Sequence, residues 1–332
     1  MNYLTHVNGL IKAKVAEKRP LVMFGQNIAA GSCVGGLTRG LKSGNGHHVL
    51  NTPNCENTLV GTGFGLMLSG VSSLFLMKQQ DFLLLGIDQL VNSYAMIRRR
   101  KLESSFTIVN VVVDSGYEGP QSALNNFYDF CSIARVPGYA IGNKHDADFI
   151  IQRHLLAPGF RIIGVSQRLA KTDLLEMSEP VSHDENGEIF QYAEGEDVTV
   201  VCFNFSFPQA KGLCNYLQGR NLSASLFSVN AMLPVDWSRL LKDVRRTRRL
   251  VVIDDSKSVN GSYLHLIIAV QREIKSARLL VLTREKDDRF IKPNADQFVI
   301  DHENVVTQLG LTNGPEKSSP LEVSSKTALQ KA

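Results

Sequence analysis

Glu56 stands at a point in the chain where a carboxyl group could act on a bound ligand. It follows a short apolar strand predicted over residues 49–51 and a turn that contains Pro53, and it opens a glycine-dotted helix. Open α/β sheets bind their ligands at the carboxyl ends of parallel strands, so Glu56 is predicted to lie at such an edge. A glutamate at a helix start also favours the helix dipole, and that structural interpretation requires no ligand.

Phe82 occupies a similar position after the next strand. A strand predicted over residues 73–77 leads into a polar break at Lys78 and Gln79, and a long helix is predicted over residues 82–100. Phe82 therefore also lies at the carboxyl edge of a strand. Taken alone, a phenylalanine in this position is more simply a core residue.

The glycines that follow Glu56 do not form a dinucleotide-binding motif. Such a motif starting at Gly61 requires glycine at position 66, which is leucine, and these glycines lie inside the helix instead of in the turn before it. Gly61 and Gly65 are one helical turn apart. They are better interpreted as a smooth face that another helix can approach closely.

The predicted elements alternate between strands and helices. Their short apolar runs lack strict alternation, which is typical of strands covered on both faces in a parallel sheet. Helices between such strands indicate an α/β domain. Strands are predicted over residues 21–24, 49–51, 73–77, 106–113, 139–141 and 161–165, and then over 199–203, 225–229, 249–253, 279–282 and 297–300.

The chain is predicted to contain two layered α/β domains, each with a mostly parallel sheet. The first domain covers residues 1–170. A polar, turn-rich linker covers residues 171–197, and the second domain covers residues 198–312. Residues 313–332 are rich in Ser, Lys and Glu, and they are predicted to form a disordered tail.

The composition excludes several classes of protein. The 332 residues are 43% hydrophobic and carry a net charge of only +4. The basic runs at residues 98–101 and 245–249 have no interleaved aromatic residues for base stacking, so no nucleic-acid partner is expected. The longest apolar stretch, residues 63–77, contains Gly and Ser and is shorter than the ~20 residues of a membrane span.

The cysteines and the N-terminus predict a cytoplasmic location. The five cysteines are scattered and form no CxxC pair, which indicates reduced thiols and no zinc site. The first residues lack a charged region followed by an apolar core, so no secretory signal is predicted.

The motifs around Glu56 and Phe82 resemble those of thiamine-diphosphate enzymes. Residues 52–56 match the family pattern T-P-x-x-E with glycines after it, and residues 81–92 match D-F…D-Q-x-x-N after a strand. The two residues are 26 positions apart, as the family pattern requires. Residues 21–158 are similar to the pyrimidine-binding domain, most of all that of the beta subunit of the two-chain 2-oxoacid dehydrogenase first component.

The second half resembles the transketolase C-terminal domain. Residues 233–237 (L-P-V-D-W) and 247–255 (T-R-R-L-V-V-I-D-D) carry this similarity. The resemblance therefore covers nearly the whole chain except the tail. It implies a thiamine-diphosphate pyrimidine-binding fold followed by a transketolase C-terminal-like domain.

The resemblance also implies a role for each candidate residue. In the family, the glutamate hydrogen-bonds a ring nitrogen of the cofactor's aminopyrimidine and so activates the thiazolium carbon, which implies that Glu56 is catalytic. That carboxyl must hold a proton near neutral pH, so a buried position is expected. Phe82 would stack on the aminopyrimidine. Asn54, Lys78 and Gln79 would line the same cofactor pocket.

The motif that holds the diphosphate in the family is missing. Thiamine enzymes bind it through Mg²⁺ with a G-D-G…N-N motif, and no Gly-Asp-Gly occurs in this sequence. The simplest interpretation is that no metal binds this chain and that an alpha-like partner subunit carries the diphosphate and Mg²⁺. By similarity to the family, a heterotetramer with two copies of each chain is expected, with the active site between chains.

Three differences from the dehydrogenases leave the substrate open. The G-E-D of the family is replaced by residues 25–27 (G-Q-N), and residues 78–80 are unusually polar. The family histidine before a P-G turn falls near Asn125, which can hydrogen-bond a substrate oxygen but cannot carry a proton.

Three functions are compatible with these patterns. The first is 2-oxoacid decarboxylation with acyl transfer to a lipoyl carrier. The second is a split transketolase-like carboligase that transfers a two-carbon or acyl unit to an aldehyde or another acceptor. The third is a non-catalytic scaffold, which Glu56 and Phe82 argue against because a scaffold needs neither residue.

Overall fold

The computed structural model contains two six-stranded sheets with helices packed against them. It describes residues 2–18, 20–116, 118–119, 121–122, 125–173, 176–177, 179–233, 236–258, 260–284 and 298–311.

The first sheet is parallel throughout. Its strands are β1 (Leu21–Gly25), β2 (His47–Asn51), β3 (Ser72–Met77), β4 (Ser105–Val112), β5 (Gly138–Ala140) and β6 (Gly159–Ser166). They lie in the order β2-β1-β3-β4-β6-β5. Every residue of β3 is buried, as is nearly all of β4, because both faces of these central strands are covered.

The helices of the first half of the chain include one composite segment. The α-helices are α1 (Tyr3–Ala16), α2 (Glu56–Leu68), α3 (Tyr94–Ile97), α4 (Phe127–Ala134) and α5 (Lys144–His154). The helix predicted over residues 82–100 is instead a 3-10 helix, Gln80–Gly86, then a π-helical turn, Gln89–Ser93, and then α3. A π-helical turn within a helix is uncommon and often marks a functional region.

Two glycines allow close contacts around α2. A Cβ atom at Gly86 would lie 2.9 Å from Val60 Cγ2 and 3.3 Å from the Glu56 carbonyl oxygen, so the 3-10 helix packs directly on the first turn of α2. A Cβ atom at Gly63 would lie 2.2 Å from the Phe106 ring. Gly65 was predicted to form part of a packing face, but a Cβ atom placed there would meet no other atom of the described residues within 4 Å.

The second sheet is mixed. Its strands are β7 (Ser182–His183), β8 (Ile189–Ala193), β9 (Val198–Phe203), β10 (Ala224–Val229), β11 (Arg249–Asp254) and β12 (Arg278–Thr283), in the order β12-β11-β9-β10-β8-β7. The strands β9 to β12 are parallel, and β8 and β7 add antiparallel pairs at one edge. Its helices are α6 (Phe207–Gln218), α7 (Ser238–Thr247), α8 (Leu264–Glu273) and α9 (His302–Gln308).

These observations confirm the predicted α/β class with two mostly parallel sheets. The predicted linker, residues 171–197, differs from the expectation because β7 and β8 lie inside it. Ile189, Phe190 and Tyr192 are buried and attach β8 to β10. The strand predicted at residues 297–300 is absent from 298–300, and the predicted disordered tail, 313–332, lies outside the described residues.

The second basic run contributes ion pairs to the fold. Arg245 and Arg246 form ion pairs with Glu273 and Glu196. All five cysteines are free, as the sequence predicts. Within the described residues, no helix combines the length and hydrophobicity needed to cross a membrane.

A buried polar network joins the carboxyl edges of the two sheets. Arg168, which follows β6, donates from Nη2 to Asp255 Oδ2 at 2.6 Å, and Asp255 follows β11. Arg284, which follows β12, donates from Nη2 to the Asp114 carbonyl oxygen at 2.8 Å. Burial raises the pKa of the Asp114 carboxyl, and the Arg168 charge opposes this shift.

His154, at the C-terminal end of α5, is buried as a neutral ring. The ring stacks on Tyr139 with centroids 4.0 Å apart, and Nε2 donates a hydrogen bond to the Asn186 carbonyl oxygen at 2.6 Å. Burial lowers the pKa of His154 from 6.5 to about 4, because an imidazolium would be poorly solvated at this position.

The buried histidine predicts a pH dependence of stability. Between pH 4 and 6.5 the unfolded chain binds the proton that folded His154 excludes, so this residue makes the unfolding free energy rise with pH. Burial raises the pKa of Asp146 and of Asp254 from 3.8 to about 6. These two carboxyl groups therefore make the unfolding free energy fall as pH rises from 3.8 to about 6. A variant is therefore needed to isolate the contribution of His154.

We expect the unfolding free energy of wild type minus that of His154→Gln to increase from pH 4 to 6.5 and then to stay level. Urea unfolding at a series of pH values measures this difference. A difference that stays constant between pH 4.5 and 7 would contradict the excluded proton.

Candidate active site

Glu56 is the first residue of α2 and is only 4% exposed. Strand β2 ends at Asn51, and the next residue, Thr52, continues the pairing by donating its N–H to the Gly25 carbonyl oxygen at 3.1 Å. The chain then turns and enters α2. Glu56 Oε2 is buried and has no hydrogen-bond partner among the described residues. A buried polar oxygen without a hydrogen-bond partner is costly, so the position suits a ligand that supplies one.

Phe82 lies on the segment that packs against Glu56. It is partly buried in the 3-10 helix, and its N–H donates to the Gln79 carbonyl oxygen at 3.3 Å. Gly86 of the same helix contacts the Glu56 backbone. The fold therefore brings together the two short segments that carry the two principal sequence candidates.

The three other predicted pocket residues also follow strands of the first sheet. Asn54 follows β2 and is exposed, and Lys78 follows β3 and is exposed. Gln79 is partly buried, and its amide is engaged on both sides. Its Nε2 donates to Glu118 Oε2 at 2.8 Å, and its Oε1 accepts from Ser122 Oγ at 3.3 Å.

Three residues that were not among the predicted site residues form a hydrogen-bonded chain beside Phe82. Gln80 Nε2 donates to Asn126 Oδ1 at 2.8 Å, and Asn126 Nδ2 donates to Asp81 Oδ1 at 2.8 Å. Gln80 and Asp81 are buried, and Gln80 Oε1 and Asp81 Oδ2 have no hydrogen-bond partner in the described part of the chain. The unusually polar run at residues 78–80 is the sequence signal that marks this cluster.

The charge of Asp81 is disfavoured in this position. Burial raises the pKa of its carboxyl, while the hydrogen bond from Asn126 and the positive charge of Lys257 oppose the shift. Lys257 follows β11 of the second sheet. Burial lowers its own pKa, whereas the Asp81 and Asp129 charges raise it. The segment after β11 thus places a cation near this polar cluster.

Asn125 has a different environment from the one its predicted substrate role suggests. It is fully buried, its Nδ2 donates to Asp255 Oδ1 at 3.2 Å, and its Oδ1 accepts from the Phe127 N–H at 2.9 Å. Each polar atom of the side chain already has one protein partner, and the side chain is fully buried. Its neighbour Asn126 is partly exposed.

These residues fit the pyrimidine end of thiamine diphosphate. Glu56 offers an unpaired, buried carboxyl oxygen, and Phe82 offers a partly buried aromatic ring on the adjoining segment. The described residues contain no group of three or more His, Cys, Asp or Glu side chains that could hold a metal ion.

Comparisons with known proteins agree with the resemblance. The chain is 22% identical over 268 residues to the mitochondrial pyruvate dehydrogenase E1 component subunit beta of Dictyostelium discoideum, covering 77% of this chain and 74% of that protein. It is 21% identical over 276 residues to the pyruvate dehydrogenase E1 component subunit beta of Acholeplasma laidlawii, covering 81% and 84%. No protein-family model matches the chain.

The solved structures show the same fold. A split-gene transketolase, described as an inactive beta4 tetramer, has a TM-score of 0.66 at 13% identity and covers 92% of this chain and 96% of that one. A transketolase of Campylobacter jejuni has a TM-score of 0.63 at 10% identity, covering 93% and 45%. Sequence and fold together identify the chain as a relative of the E1 beta subunits of 2-oxoacid dehydrogenases, built on a transketolase-like fold.

Proposed function

We propose that this chain is the pyrimidine-binding, beta-like subunit of a two-chain thiamine-diphosphate enzyme that decarboxylates a 2-oxoacid and transfers the acyl group. The observation that carries the proposal is the buried, unpaired Oε2 of Glu56 at the start of α2. The sequence similarity to E1 beta subunits supports the same function.

Each residue of the site has a role in this proposal. When bound, thiamine diphosphate supplies a nucleophilic carbon and an electron sink. Glu56 would form a hydrogen bond with a ring nitrogen of the aminopyrimidine, and Phe82 would pack against the ring face. Asn54, Lys78 and Gln79 line the approach to the cofactor, and Asn125 remains a predicted substrate contact.

A partner subunit completes the proposed enzyme. An alpha-like chain would bind the diphosphate through Mg²⁺, and two copies of each chain would form a heterotetramer with the active site between them. The absence of a G-D-G motif from the sequence supports this division. The five free cysteines support the proposed cytoplasmic location.

A split transketolase-like carboligase is the second candidate. The specific observation in its favour is the buried chain of Gln80, Asn126 and Asp81, which gives the site more polar groups than a small apolar acyl unit requires. Asn125 has no titratable group, so the acid or base that a dehydrogenase would have near this position is not supplied by this residue. In this alternative the acceptor is an aldehyde or another small molecule instead of a lipoyl carrier.

Reconstitution with an alpha-like chain that carries G-D-G…N-N tests the proposal. We expect the isolated chain to bind thiamine diphosphate and Mg²⁺ weakly by calorimetry, and the purified pair to bind them at least about tenfold more tightly because each chain holds one end of the cofactor. A stable pair that binds no thiamine diphosphate would refute the function.

The same pair separates the two candidate reactions. Decarboxylation of pyruvate or a branched 2-oxoacid that proceeds to an acylated lipoyl carrier supports the dehydrogenase function. Formation of a product that has a new carbon–carbon bond to an added aldehyde, with no acylation of the lipoyl carrier, supports the carboligase.

A further inference from the structure

We propose that the second domain positions the active site through a clasp formed by Asp255, Asn125, Asn126 and Asp81. In this clasp, Asp255 holds Asn125, and the adjacent Asn126 holds the turn that carries Phe82. The proposal rests on the proposed contact of Phe82 with the cofactor. These are positioning residues, since they act on the site through Phe82.

The anchored end of the clasp lies at the domain boundary. Besides the side-chain bond from Asn125 to Asp255, the Lys257 N–H donates to the Asn125 carbonyl oxygen at 2.7 Å. Asn125 and Ser256 form an isolated parallel bridge. A strand-like pairing thus joins residue 125 of the first domain to the segment after β11.

Asp255 is itself held rigidly. Its Oδ1 also accepts from the Phe205 N–H at 3.1 Å, and its Oδ2 accepts from Arg168 at 2.6 Å. The carboxyl is fully buried, so these bonds are shielded from water. The anchor can therefore transmit the position of the second domain to Asn125.

The other end of the clasp reaches the site. Asn126 bonds Gln80 and Asp81 with both ends of its amide, at 2.8 Å each, and Asp81 directly precedes Phe82. Asn126 is also the residue at the N-terminus of α4, where asparagine usually caps its own helix. Its side chain makes no such cap here. The amide is used across the fold instead of within its own helix, which favours a positioning role.

This arrangement gives residue 125 a purpose distinct from proton transfer. Its amide bonds a carboxylate and a backbone N–H together and carries no titratable group. The residue therefore serves as a domain anchor.

Hydrogen exchange of the full-length chain tests the clasp without cofactor. We expect Asn126→Ala to accelerate amide exchange in peptides covering residues 78–86 by about five- to tenfold, because loss of a buried amide's bonds loosens this turn. Asn125→Ala should produce the same local acceleration and extend it to residues 125–134. Ser258→Ala is the matched control, since it removes another interdomain bond, to Asp129 Oδ2 at 2.7 Å, on an exposed surface.

The reconstituted pair supplies a second readout that separates positioning from substrate contact. In Asn126→Ala, which leaves the domain anchor intact, we expect the Kd for thiamine diphosphate to rise about five- to tenfold while kcat at saturating cofactor stays within about twofold. A fall in kcat with an unchanged cofactor Kd would overturn the proposal.

The two readouts distinguish the clasp from the proposed function. Unchanged exchange at residues 78–86 in both asparagine variants, or equal acceleration in Ser258→Ala, would overturn the clasp whatever the cofactor result. Accelerated exchange in the asparagine variants alone, with a pair that binds no thiamine diphosphate, would support the clasp as a structural link and refute the proposed function.

Discussion

Glu56→Gln is expected to slow exchange of the thiazolium C2 proton in the reconstituted pair by about 10²- to 10⁴-fold, the range typical of losing a positioned acid or base. Glutamine keeps the size of the side chain, but it cannot hold or release a proton at the position of Oε2. Because Glu56 is buried and Oε2 has no partner among the residues that the structure describes, water offers little substitute for the missing group. Quenched-flow exchange into deuterium oxide, followed by proton NMR of the cofactor, measures the rate.

The control for this prediction is Glu103→Gln, which changes an exposed glutamate that precedes β4. It should leave the exchange rate within about twofold of wild type, since an exposed side chain at the amino-terminal edge of the sheet, opposite the carboxyl ends of the strands, contributes little. Exchange at the wild-type rate in Glu56→Gln, with cofactor bound, would remove Glu56 from the proposed role.

Arg168→Met should lower the unfolding free energy by about 3 kcal/mol, far more than substitution of an arginine in an exposed ion pair. Breaking a buried ion pair by removing one partner leaves an uncompensated charge and typically costs roughly 3–5 kcal/mol. Arg168 is 17% exposed, and Arg284 Nη2 remains 3.8 Å from Asp255 Oδ2, so we expect the lower end of that range. Urea unfolding at pH 7 measures the change.

Arg220→Met is the matched comparison, because Arg220 pairs with Glu303 at 3.2 Å on an exposed surface. Surface pairs contribute about 0–1 kcal/mol, so this variant should remain close to wild type. Equal losses in the two arginine variants would show that the interdomain pair has no special contribution to stability.

Local sequence patterns predicted most of the fold. The mostly apolar runs of β3 and β4, which lack strict alternation, predicted buried central strands, and the residues around Glu56 predicted where α2 begins. Strand β8 was missed because its five residues lie in an otherwise polar, turn-rich stretch, and only the pairing with β10 buries them. Helix α9 was missed because its seven residues give little periodicity to read.

The candidate site was predictable in part. Glu56 and Phe82 follow strands, so sheet topology alone brings their segments together. The environment of Asn125 was not predictable, because its partner Asp255 lies 130 positions away and belongs to the other domain. The same reason applies to the contact between Asn126 and the turn at Gln80 and Asp81, which depends on packing between loops and not on any local period.

The shared core of the two halves limits how this protein could have been assembled or could be rebuilt. Phe205, Ala231 and Met232, which come from the second half of the chain, are buried in the core that surrounds the first sheet. A chimaera joining this first half to the corresponding half of a distant relative would lose that apolar filling together with the acidic partner of Arg168. Exchange of whole halves should therefore succeed only when these contacts are transplanted with them.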